Sequence, residues 1–153
     1  MSNTFPLDVM SSLSKKMRDI QSSLLSKFPE LKVVGVDDSV DLENVLTDDA
    51  PALLWQFNTL EPRPKDPLYG GEIQVGAKTT EDSGGYELTE LLNAVVSAFS
   101  VGEVIPVSDF SGVVEAPGKG VITVSQAMMN PQLFDNNSGI RMYRVTFSGQ
   151  RFT

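Results

Sequence analysis

The chain has 153 residues, 41% hydrophobic and 21% charged, and 20 acidic against 12 basic side chains give a net charge of −8. That length fits one domain that can bury a core without covalent staples. The absence of both cysteine and histidine excludes disulfides, Cys/His zinc sites, thiol nucleophiles and imidazole triads, and the acidic balance disfavours binding along a phosphate backbone.

An enzyme built from this chain would have to use carboxylates, Lys, Tyr or a carboxylate-held metal. No apolar run is long enough to span a bilayer. The opening MSNTFPLDVM has neither the basic start nor the apolar centre of a secretory signal, so synthesis in the cytoplasm is expected. The first element in chain order is an amphipathic helix over Leu7 to Phe28. Met10, Leu13, Met17, Ile20, Leu24 and Phe28 fall on one stripe, and Ser11, Ser14, Lys15, Arg18 and Ser22 on the other. Pro6 suits its first turn and Pro29 its end. Such a helix is about 33 Å long and is expected to lie across a sheet.

LKVVGV (Leu31 to Val36) reads as a short buried strand, followed by a strongly acidic stretch from Asp37 to Asp49. Asp37, Ser39 and Asp41 begin like a calcium loop, but Leu42 stands where that loop needs Gly and Asp48 where it needs a bidentate Glu. A solvated acidic loop is the expectation. PALLWQFN (Pro51 to Asn58) is the next strand, with Leu53, Trp55 and Phe57 on one side and Leu54 and Gln56 on the other. GGEIQVGAKT (Gly70 to Thr79) alternates, with Ile73, Val75 and Ala77 opposed to Glu72, Gln74 and Lys78. Together they predict a long hairpin. Its tip holds Pro62, Pro64 and Pro67, each of which fixes a backbone dihedral. A stiff tip suits a contact with a neighbouring subunit; a plain surface loop is the other reading.

YELTELLNAVVSAF predicts a second helix, with Leu88, Leu91, Leu92, Val95 and Phe99 at helical spacing, Glu87 and Glu90 near its start and Gly102 as its stop. GEVIPVSDF, GVVEAP and GVITVSQAMM then read as strands, with Ala116 to Gly120 as the turn between the last two. MMNPQLFDNNSG reads as a loop, and IRMYRVTFSGQRF as a closing strand of mixed character on both faces, which leaves its buried set open. The whole predicts a single α+β domain over residues 1–153: an antiparallel or mixed sheet, two helices on one face and a long projecting hairpin.

This order resembles the tail terminator (tail-completion) proteins of long-tailed bacteriophages, the minor tail protein U type. The resemblance runs through the amphipathic N-terminal helix, DAPALLWQF entering the hairpin, GGEIQVGAKT returning from it, YELTELLNAVVSAF as second helix and RMYRVTFSG as closing strand. It implies a non-enzymatic virion protein, made in the host cytoplasm and without a cofactor. Such a protein forms a ring, six-membered in that family, that caps the tail tube, ends tail polymerisation and joins tail to neck. Its implied partners are further copies of itself, the tail tube protein and a neck or head-completion protein. DNA only passes through, and no membrane is involved. Arg63, Lys65, Asp66, Tyr69, Arg141 and Arg144 are the candidate subunit or tail contacts, and Asp37, Asp38, Asp41, Asp48 and Asp49 a candidate acidic lumen or loop. Another neck component or a tail-tube protein is the nearest alternative. A carboxylate enzyme converging Asp37, Asp41, Asp48 or Glu87 and a small-ligand regulatory module are more distant ones.

Overall fold

A computed structural model describes residues 5–35, 51–61, 63, 66–78, 86–110, 112, 115–129, 133–135 and 138–152. The first helix, α1, spans Phe5–Leu24. Val9, Leu13, Met17 and Ile20 are buried at spacings of four, four and three, the rows that share one helix face. The helix ends short of the expected Phe28. Residues Leu25 to Lys27 continue as turns, and the Phe28 amide donates to the Leu24 carbonyl at 2.7 Å. Pro29 bars any continuation through Phe28, because the residue before a proline is pushed out of the helical region.

Strands β1 (Lys32–Gly35), β2 (Ala52–Glu61) and β3 (Leu68–Lys78) follow, then α2 (Tyr86–Ala98), β4 (Val104–Asp109), β5 (Ala116–Met129), β6 (Leu133–Asp135) and β7 (Ser138–Arg151). One mixed sheet runs in the order β1-β2-β3-β7-β5-β4, with β6 added along β7. β1 is parallel to β2, and every other pair is antiparallel. The expected α+β class is thus the observed one, with both helices on a single face of the sheet.

One cluster holds the core. Val9, Leu13, Met17 and Ile20 from α1 and Leu88, Leu91, Leu92, Val95 and Phe99 from the α2 segment meet Leu53, Phe57, Ile73, Val75, Ile105, Ile122, Val124, Tyr143, Val145 and Phe147 of the strands. Each large side chain so buried contributes about 1.5–3 kcal/mol relative to exposure. The rings of Phe57, Phe99 and Phe147 lie 5.9–6.1 Å apart in tilted and edge-on pairs, the separations aromatic pairs favour. Gly71 makes room for this triad: a Cβ there would stand 2.5 Å from the Phe57 ring. The buried set of β7, open in the sequence, is Tyr143, Val145 and Phe147.

Three expectations change. Ala116 to Gly120 is no turn but the first part of β5, which spans 14 residues. A register shift between Val107 and Asp109 takes up the extra residues, and Gly118 adopts φ 91° there. Val113 and Val114 of the expected GVVEAP strand lie outside the described residues. The expected loop from Met128 to Gly139 contains β6, which pairs with Ser138–Ile140 of β7. Gly102, expected as the stop of the second helix, has a positive φ of 92° but sits in a turn beyond the helix, where the Glu103 amide donates to the Ser100 carbonyl at 2.9 Å.

Candidate assembly surfaces

The hairpin of β2 and β3 has its body built into the sheet. β3 pairs along its whole length with β7, from Leu68 opposite Ser148 to Lys78 opposite Ser138. What projects is the far end. Asn58, Thr59, Leu60, Glu61, Arg63 and Asp66 are exposed. Pro67 is buried, and its carbonyl accepts from the Gly149 amide at 2.8 Å. The tip is thus pinned to β7 on its return side and open on its outward side. Arg63 donates to Glu61 across the tip. An ion pair this exposed adds little stability; it organises the charges of the tip locally.

The remaining candidates separate. Tyr69 is fully buried, so it is corrected from contact residue to core residue. Its position pairs with Phe147, and its ring lies where Gly149 leaves space beside Pro67 and Phe5. Its hydroxyl is buried with no hydrogen-bond partner among the described residues, and burial pushes its pKa up. Arg144 is exposed and paired with Glu72 at 3.2 Å. Arg141 is half-buried in the row Leu53–Val75–Arg141, on the helix-covered side. Alternation along β7 therefore sends Arg141 and Arg144 to opposite faces, and they cannot share one contact surface on a flat partner. Lys65 and the acidic set Asp37, Asp38, Asp41, Asp48 and Asp49 lie outside the described residues, as does the calcium-loop reading. Among the described residues no group of three or more acidic side chains is placed to hold a metal, and no helix is long and apolar enough to cross a membrane.

Sequence reasoning missed how the sheet treats its edges. At β4 the edge is closed. Ser12 Oγ accepts from the Ser108 amide at 3.2 Å, and Asp8 Oδ1 accepts from the Phe110 amide at 3.1 Å. Residues four apart on a helix rise about 6 Å, close to the advance of two residues along a strand, so α1 lays two acceptors against two successive outward amides. Pro106 of the same strand has no amide to offer. Lys119 Nζ lies 3.5 Å from the other Asp8 oxygen. Next to this contact, a cavity of about 180 Å³ is lined by Ser12, Lys15, Asp19, Pro106, Ser108 and Glu115. Lys15 and Glu115 bridge there at 2.7 Å. Their hydrogen bond holds the Glu115 carboxyl below the usual carboxylate range and raises the Lys15 ammonium.

Comparison with known proteins bears on the fold. No protein-family model matches the chain, and no curated protein matches it. Nine solved chains do. One of them aligns over 99% of its own length and 99% of this chain, with a TM-score of 0.63 at 9% identity. Likeness at that identity is a likeness of fold.

Proposed function

We propose that this chain is a non-enzymatic structural subunit of a long-tailed phage, a tail terminator that assembles into a ring on the end of the tail tube. The ring stops tube growth and presents a surface to the neck. The observation that carries the reading is the far end of the β2–β3 hairpin. It is exposed, charged and apolar together at Glu61, Arg63 and Leu60, and its return side is hydrogen-bonded to β7 through Pro67. A pre-ordered tip loses less entropy when it meets a neighbour. The order of helix, hairpin, helix and closing strand supports the same reading.

Light scattering over a concentration series, with negative-stain microscopy of the concentrated sample and added tail tubes, tests it. The expected result is closed rings of one size that bind tube ends and block further tube growth. Open filaments of the protein alone point instead to a tube protein. A chain that stays monomeric and ignores tube ends overturns the reading.

A further inference from the structure

Among the described residues the sheet leaves two strand edges without a neighbour, and they lie at the same level on opposite sides. β1 pairs with β2 only as far as Trp55, so from Gln56 onward the outer edge of β2 has no strand beside it among the described residues. β4 pairs with β5 only as far as Thr123. The Glu103 carbonyl and Gly102 amide serve Val124, and beyond it the outer edge of β5 is again without a strand among the described residues. Register through β3 and β7 places the two edges in common rows. Gln56, Glu72, Arg144 and Met128 form one row, Phe57, Gly71, Val145 and Ala127 the next, and Asn58, Gly70, Thr146 and Gln126 the third. Bulges bound both open stretches at one end, at Leu60 in β2 and Ser125 in β5. Each leaves about four residues, Gln56 to Thr59 and Gln126 to Met129, roughly 13 Å of strand.

The composition of these stretches separates them from the closed edge. Natural sheets blunt a free edge with charge, proline or a covering element, and β4 has a proline and two helix-borne acceptors. Neither Gln56 to Thr59 nor Gln126 to Met129 contains a charged residue or a proline. Asn58, Thr59, Gln126 and Met128 are exposed. The directions also match. β2 and β7 run one way, β3 and β5 the other, so β2 of one copy and β5 of the next meet antiparallel when copies are related head to tail.

The geometry points to a second copy of this chain as the occupant of each edge: the outer edge of β2 at Gln56–Thr59 pairs antiparallel with the outer edge of β5 at Gln126–Met129 of the adjacent copy. Such a contact is heterologous and repeats until it closes. It deepens the ring reading above and rests on it for closure. The neutral edges let copies of net charge −8 pair without setting like charges of the two stretches against each other, and the backbone supplies the new hydrogen bonds.

The chain has no cysteine, so disulfide trapping tests the pairing without a background. Gln56→Cys or Asn58→Cys is combined in one chain with Gln126→Cys or Met128→Cys, four double variants that cover neighbouring registers on the open face. After mild oxidation at the concentration where scattering detects assembly, at least one double variant is expected to give a ladder ending at the ring size on a non-reducing gel. Each single variant stops at dimer or below. Rings that form normally while no double variant yields a ladder overturn the edge pairing and leave the ring reading standing. A ladder with no upper limit and open filaments supports the edge pairing and overturns the closed ring. No assembly and no ladder overturn both.

Discussion

Tyr69 and Tyr143 both turn their rings into the core, yet their hydroxyls meet different surroundings. Tyr143 donates to the Phe99 carbonyl at 2.7 Å, one of the carbonyls a helix leaves unpaired past its last turn. The Tyr69 hydroxyl has no such partner among the described residues. Tyr143→Phe should therefore cost about 1–3 kcal/mol, because it strands a buried carbonyl. Tyr69→Phe should be neutral or stabilising by up to about 1 kcal/mol. Urea unfolding with unchanged m-values checks both. Burial raises both phenol pKa values, so the fold favours the neutral form. That contribution is complete below the ordinary tyrosine value of 10.0 and is lost as pH rises through the folded-state values. An absorbance titration should show these two phenols ionising late. Glu115 has the opposite sign. Its folded pKa is lowered, mainly by the Lys15 hydrogen bond, so its contribution is present above the ordinary carboxylate range and lost as pH falls through the folded value. Glu115→Gln should flatten the acid side of the stability profile, measured as the urea midpoint against pH.

At the scale of elements, the contact of α1 with the β4 edge makes the helix a structural lid on a strand as well as a core layer. Asp8→Ala leaves the Phe110 amide without its acceptor and weakens the hold on Lys119; a loss of about 1–3 kcal/mol is expected, with aggregation at high concentration as the exposed edge finds other strands. Gly120 allows the start of β5 to lie close to β7. A Cβ there would stand 2.3 Å from the Gln150 carbonyl oxygen and 2.7 Å from the Phe5 ring. Backbone cannot step aside as a side chain can, so Gly120→Ala should cost about 2–3 kcal/mol in thermal or urea unfolding. Both helices were legible from their stripes, and β2 and β3 from alternation, because these periods are local properties of the chain. The run Ala116 to Gly120 misled because two glycines and a proline signal a turn, while the start of β5 takes them in through a bulge against β4.

At the scale of the molecule, the helices cover one face of the sheet; on the other, Glu72 and Arg144 pair across β3 and β7 while Ala52 and Leu54 are buried. Leu91 lies fully buried at the junction of helix and sheet. Leu91→Asp should unfold the chain, at a cost of about 4 kcal/mol or more, seen as loss of the cooperative transition. Assembly should strengthen as salt rises from low to physiological levels, because screening relieves repulsion between acidic copies; scattering at fixed protein concentration reads this directly. Arg63→Glu with Lys65→Glu should leave the monomer folded and weaken assembly, since Arg63 lies exposed at the tip.

By itself the sequence determined the class of fold, the two helices and their buried stripes, the hairpin, and the exclusion of cysteine and histidine chemistry. These follow from composition and from periods of 3.6 and 2 residues, which the chain carries within each segment. Only the tertiary structure decided which strands became edges, which face of β7 is buried, and that Tyr69 belongs to the core while Arg141 and Arg144 part to opposite faces. Strand order and register join residues far apart in the chain, such as Phe57 with Val145 through Gly71, and no local pattern encodes that choice. Among the described residues, the stretches of β2 and β5 without a neighbour are set by how far β1 and β4 pair with them, a property of partners rather than of the strands themselves.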